Sequence, residues 1–324
     1  MRIVFFGATE LGYQCCEQLF DMGENVVGMF SIPQEFRISY SATPVKNVTY
    51  RGFEELAERH QVPLVYITKK MSDSEYLETL NSWGAHLGIA IGWYYMIPRT
   101  IRESFPLGVA GIHASLLPKY RGGAPLVWAI INGERKSGVS FFYFDDGVDV
   151  GDVIAQQEFE IAEDDTIKTV YDKAAQASLS ILREYVPLIR QSKAPRVPQD
   201  HSATTQFPQR SPEDGLIDWK LKKAAEVYNW VRAQTRPYPG AFTYLGREKV
   251  VIWKASLTGI HLQDAAPGTV ITNGSEPAES FGVCCANGQI LSIHEVGLTD
   301  GSIMSGAEFI TARGICPGAR LGNE

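Results

Sequence analysis

Along the first two-thirds of the chain, short apolar runs rich in β-branched and aromatic residues alternate with stretches whose apolar positions recur at helical spacing. Runs of the first kind lie at 2–6, 26–31, 64–68, 86–92, 109–114, 138–144 and 153–161. Stretches of the second kind lie at about 10–22, 52–60, 72–83, 124–133 and 166–191. The last opens on Asp165 and Thr166, which suit a helix cap, and carries Val170, Ala174, Ala177, Ile181 and Leu182 as one apolar stripe. Strands that alternate with helices predict an α/β domain built on a doubly wound, mostly parallel sheet.

The pattern changes at 192–212, SKAPRVPQDHSATTQFPQRSP, where prolines and small polar residues replace long aliphatics, and this stretch reads as a linker. Beyond it come one amphipathic helix, at about 220–234, and short β-runs at 241–244, 250–257, 268–272, 282–285 and 290–296. Their regular spacing, with Gly and Asn between them, predicts a second, smaller, β-rich barrel-like domain. The expected division is 1–200 for the first domain and 201–324 for the second.

Composition narrows the partners. Of 324 residues, 30 are Lys or Arg and 37 are Asp or Glu, a formal charge of -7, so no general positive field draws in nucleic acid. No run reaches the length of a membrane span, and the chain enters IVFFG directly, without the basic, apolar and small-residue succession of a leader, so a cytoplasmic protein is expected. The five cysteines form two adjacent pairs, Cys15 with Cys16 and Cys284 with Cys285, plus Cys316. Without a CxxC spacing they read as buried thiols, and no metal is expected.

The turn after the first strand, GATELG at 7–12, lacks both the Gly-x-Gly-x-x-Gly spacing of a dinucleotide loop and the Gly-Lys-Ser/Thr ending of a phosphate loop. It still stands where open α/β sheets bind ligands, which makes Glu10 a candidate pocket residue. Two later segments carry more chemistry. GIHASLLPKYRGGAP at 111–125 places His113 where a strand meets a Gly- and Pro-rich loop, with Lys119, Arg121 and Gly122 suited to an anionic substrate. FDDGVDVGDVIAQ at 144–156 brings aspartates at 145, 146, 149 and 152, and one carboxylate beside His113 would orient its imidazole and raise its basicity.

The string HASLLPKYRGGAP, followed 36 positions after its histidine by Asp149 within GVDVGD, resembles the 10-formyltetrahydrofolate-dependent formyltransferase family. SPEDGLIDW and VYNWVRAQTRPYPGAF look like that family's C-terminal domain. The resemblance implies formyl transfer from 10-formyltetrahydrofolate, with His113 as general base and Asp149 as its orienting partner. It implies folate recognition by the segment GWYYMIP and the acidic loop, hence Met96, Ile97, Asp145 and Asp146. The family's usual Asn-x-His reads Gly111-x-His113 here, so the side chain that steadies the oxyanion is missing; a donor relocated elsewhere is expected, with Gly111 leaving room for a ligand or water.

Two acceptors compete within the resemblance. The acidic charge and the absence of a cation cluster after the second strand favour a nucleotide-linked amino sugar, as in the sugar N-formyltransferases of lipopolysaccharide biosynthesis, over the initiator tRNA of methionyl-tRNA formyltransferase. Lys119, Arg121 and the tyrosine-rich 32–53 region would meet the nucleotide. A folate- or nucleotide-sugar-binding protein without turnover is the third reading, raised by Gly111. A homodimer is compatible with the resemblance.

Overall fold

The computed structural model describes residues 1–37, 44–272 and 279–322. It resolves into two compact units. The first comprises residues 1–125, 136–160 and 172–207; the second comprises 126–135, 161–171 and 208–324.

The first unit is built on a seven-stranded sheet. Its strands come in chain order as β1 (Arg2–Phe6), β2 (Asn25–Ser31), a two-residue hairpin β3 (Glu35–Phe36) and β4 (Val45–Lys46) outside the sheet, β5 (Leu64–Tyr66), β6 (Leu87–Ile91) and β7 (Val109–His113). After the two-residue β8 (Arg121–Gly122) follow β9 (Lys136–Tyr143), β10 (Val153–Glu160) and another two-residue strand, β11 (Gln206–Phe207). The spatial order is β10-β9-β7-β6-β1-β2-β5. Strands β1, β2, β5, β6 and β7 are parallel, whereas β9 runs antiparallel to β7 and β10 antiparallel to β9. Strand β6, LGIAI, is buried throughout, as a parallel strand covered on both faces must be.

Helices α1 (Glu10–Asp21), α2 (Glu54–His60), α3 (Ser74–Trp83) and α4 (Arg99–Arg102) lie between the strands of this unit. The Thr9 hydroxyl accepts from the Gly12 amide at 3.1 Å and caps α1. After β1 the chain winds outward through β2 and β5, then returns to place β6 on the other side of β1. The crevice at the carboxyl ends of β1 and β6 is therefore the switch point where such sheets take ligands. Strand β7 ends beside it.

Helix α5 (Pro125–Ile131) falls almost wholly in the second unit, and α6 (Ile167–Arg190) enters the first from residue 172 onward. The remainder of the second unit is a six-stranded antiparallel sheet of β12 (Ala241–Leu245), β13 (Glu248–His261), β14 (Val270–Ile271), β15 (Phe281–Cys284), β16 (Gln289–Leu298) and β17 (Ile303–Ser305). Helices α7 (Ala224–Gln234) and α8 (Gly306–Ala312) accompany it. One apolar core containing Trp219, Val227, Ile252, Phe281, Ile293 and Phe309 unites the sheet with both helices. The helix expected at 220–234 starts later because the Asp218 carboxylate accepts from the amides of Lys220 and Leu221 at 3.0 and 3.1 Å, closing a turn first. No helix among the described residues is long and apolar enough to cross a membrane.

Candidate active site

His113 is the last residue of β7, and its ring is held at both nitrogens. Nε2 lies 2.7 Å from the Tyr120 carbonyl oxygen. A carbonyl only accepts, so Nε2 carries the hydrogen and the lone pair stands on Nδ1. Nδ1 faces Oδ2 of Asp149 at 3.5 Å, and the two side chains are only 11% and 19% exposed. A proton arriving at Nδ1 thus meets a carboxylate in a largely water-excluded setting, where the resulting ion pair is stronger than in bulk water.

Asp149 is itself fixed. Its Oδ2 accepts from the Gly122 amide at 2.9 Å, and its backbone holds the left-handed φ of 55°, uncommon outside glycine. The Asp149 carbonyl accepts from Gln199 Nε2 at 2.9 Å. Nothing in the sequence pattern singled out Gln199, which lies in the stretch read as a linker.

Three expected site residues, Arg121, Gly122 and Gly111, have protein neighbours of their own. Arg121 is buried, donating from Nε and Nη2 to Gln199 Oε1 at 3.2 and 2.5 Å, with Nη2 also 3.2 Å from His201 Nδ1. Burial pushes its pKa down, with Asp149 opposing the shift. The Gly122 amide is committed to Asp149 rather than to a substrate phosphate. Gly111 leaves no room for ligand or water: a Cβ built there would lie 2.3 Å from the Ala90 carbonyl oxygen and 2.6 Å from the Phe144 ring. Lys119 is exposed in the loop, and Glu10 is exposed in the first turn of α1, accepting from Gln14 at 3.0 Å. Of the tyrosine-rich 32–53 region, residues 38–43 lie outside the described residues.

Residues 1–186 match the family described as formyl transferase, and residues 210–314 match the formyl transferase C-terminal domain. The chain belongs to the formyl transferase family. It is 32% identical over 326 residues to a methionyl-tRNA formyltransferase of Alkaliphilus oremlandii, covering 99% of this chain and 100% of that one. Among solved structures, it resembles WlaRD, a sugar 3N-formyl transferase crystallised with dTDP and 5-N-formyl-THF, at a TM-score of 0.64 and 17% identity over 90% of this chain and 97% of that chain. It also resembles HypX from Aquifex aeolicus in complex with tetrahydrofolic acid, at a TM-score of 0.64 and 18% identity over 96% of this chain. The chain spans about half the length of HypX, 47% of that chain.

A formyl transferase of this family draws on formyl-tetrahydrofolate. A cavity of about 690 Å³ is lined by Phe144, Asp145, Asp146, Arg102, Val109 and Tyr143, among others, but by neither His113 nor Asp149; Val109 opens β7 and His113 closes it. Asp145 and Asp146, two of the residues expected at the pterin, stand there beside Arg102. Arg102, which sequence reasoning did not mark, donates to the Phe144 carbonyl at 3.3 Å, pairs with Asp146 and lies 3.7 Å from Asp145, while its buried Nε has no hydrogen-bond partner. The charge adjacent to GWYYMIP was its only signal. Met96 is exposed and Ile97 buried in the core, and neither side chain lines the cavity. Among the described residues no three His, Cys, Asp or Glu side chains gather as a metal site.

Proposed function

We propose that this formyl transferase acts on the amino group of a nucleotide-linked amino sugar. The observation that carries this reading is that eight cations of the catalytic unit already have a carboxylate partner. Arg51, Arg59, Arg99, Arg102, Arg190 and Arg196 each already face a carboxylate, as do Lys69 and Lys136. A tRNA backbone is held by cations whose counterions are exchanged for phosphates, and cations paired with protein carboxylates serve that poorly. A single pyrophosphate needs far less, and the exposed Lys119 beside the His113 loop suits it, with Glu10 available to a sugar or its base.

When bound, 10-formyltetrahydrofolate supplies an activated formyl carbon, with Asp145, Asp146 and the backbone of 96–97 as the groups to hold its pterin. The chain's own work is at the amine. His113 Nδ1 takes the proton that the amine sheds on attack, because Nε2 is occupied by its bond to the Tyr120 carbonyl. Asp149 then faces the imidazolium and stabilises it until the imidazolium gives that proton to N10 of the folate, as the bond from the formyl carbon to N10 breaks and tetrahydrofolate leaves. We assign this chemistry to residues 1–200 and a supporting role to 201–324.

Methionyl-tRNA is the second reading, favoured by the full-length similarity to relatives named methionyl-tRNA formyltransferase. Incubating purified protein with 10-formyltetrahydrofolate and a panel of dTDP-, UDP- and GDP-linked amino sugars, alongside charged initiator tRNA, separates the two. A sugar heavier by one CO group is the expected product. Formylation of the tRNA alone overturns the sugar reading.

A further inference from the structure

We infer that Gln199 is a positioning residue for the reaction, through which the segment after α6 sets Asp149 against His113. The inference rests on the assignment of His113 and Asp149 to the chemistry, and not on which acceptor is used.

Residues 197–207 do not run free between elements. Val197 bridges Val153, and β11 pairs in parallel with β8, so that the segment passes alongside 120–123. Thr205 fastens it further, its hydroxyl accepting from the Tyr120 amide at 2.8 Å and its carbonyl from the Arg121 amide at 2.9 Å. Within this strap Gln199 is 8% exposed and uses both ends of its amide. Nε2 donates to the carbonyls of Asp149 and Gly151, at 2.9 and 2.7 Å, while Oε1 accepts from Arg121.

Those two carbonyls lie on the three residues that begin with Asp149, where the chain must hold φ at 55° on a non-glycine residue. Such a conformation persists only where the surroundings over-determine it. The Gln199 amide supplies two donors on the backbone, and the Gly122 amide supplies the donor on the carboxylate. Gly122 adjoins Arg121, which holds the other end of Gln199. The ring of contacts therefore closes on itself: Arg121 orients Gln199, Gln199 fixes the backbone of Asp149, and Gly122 aims its carboxylate. A side chain at 199 that cannot donate leaves two buried carbonyls unsatisfied and lets Asp149 relax toward ordinary φ, swinging Oδ2 away from Nδ1.

The test uses the full chain and two variants. Gln199→Met removes donor and acceptor at similar volume. Gln199→Glu keeps the contact with Arg121, now as an ion pair, but presents acceptors to two carbonyls. Formyl transfer is followed as kcat and KM, folding by thermal melting, and the His113 ring signals by NMR at one pH, which needs neither folate nor acceptor. The inference expects both variants to fold, kcat to fall at least about tenfold with KM for either substrate unchanged, and the His113 ring signals to leave their wild-type positions as the carboxylate withdraws. It is overturned if a folded variant keeps kcat within about twofold and leaves the His113 signals in place. It is equally overturned if the loss of activity matches the loss of folded protein in both variants. A wild-type protein that formylates tRNA instead of sugar leaves the His113 signals as an independent reading.

Discussion

The ring of Phe144 stands where a side chain on Gly111 would begin. A Cβ at 111 would lie 2.6 Å from a ring carbon of Phe144, and the Ala90 carbonyl of the neighbouring strand crowds the same point at 2.3 Å. At the position that resembles the family's asparagine, an aromatic ring from the residue just after β9 thus takes the volume that a side chain would need.

Restoring asparagine alone is therefore expected to harm the protein. Gly111→Asn forces β6 or Phe144 to move, and overpacking of this kind costs about 1–3 kcal/mol. Pairing it with Phe144→Ala removes one of the two clashes and should recover part of the lost melting temperature. Equal stability of Gly111→Asn and wild type in thermal melts would show that the ring does not guard this volume.

Gly122 is required by its backbone. Its φ of 93° lies outside what side-chain-bearing residues adopt readily, and a Cβ would meet the Phe207 carbonyl oxygen at 2.4 Å. Gly122→Ala should destabilise by about 1–3 kcal/mol in denaturant melts and reduce formyl transfer, because the amide that aims Asp149 moves with it. Retained stability and activity would contradict the strap geometry.

Asp149→Asn keeps an oxygen for the Gly122 amide and removes the charge opposite His113. The expected result is a fall in kcat of about 100-fold with KM unchanged, measured by initial rates. An unchanged kcat would separate Asp149 from the chemistry at His113.

His294 gives the second unit a pH dependence of its own. Burial, aided by Lys254, pushes its pKa below the usual histidine value, and its Nε2 lies 2.7 Å from the Ser256 hydroxyl. A folded pKa below the unfolded one means that the unfolded chain binds more protons, so stability is present above the ordinary histidine range and is lost as pH falls through it. His294→Gln should flatten that acid-side decline in melting temperature, and a decline of unchanged slope would assign it to other groups.

Much of this was legible in the sequence, and the omissions share a cause. Strands such as 87–91 announce themselves because both faces are buried, so every position is apolar. His113 draws notice at a strand end beside a Gly-rich loop, but the pattern does not choose among the four aspartates at 145, 146, 149 and 152; only the resemblance of GVDVGD to the family motif points to Asp149. Gln199 was hidden because a buried amide and a solvated one look alike in a stretch rich in Pro, Ser and Gln. Arg121 misled for the related reason that a cation in a Gly-rich loop reads as exposed, whereas its partners come from residues 199 and 201. The consequence of Gly111 depends on Phe144, a contact that only the β7–β9 pairing creates. Helix α8, capped by Ser305 and Glu308, has no counterpart among the predicted elements, because seven residues are too few to show a helical period.

The most direct test of the account is the rate of formyl transfer by wild type and His113→Gln, measured side by side with binding of folinic acid by calorimetry. If His113 Nδ1 takes the amine proton, the variant loses about 100- to 10,000-fold in kcat while folinic acid binds as before. A variant that keeps its rate within a few-fold and binds folinic acid normally would place the base elsewhere and contradict the mechanism.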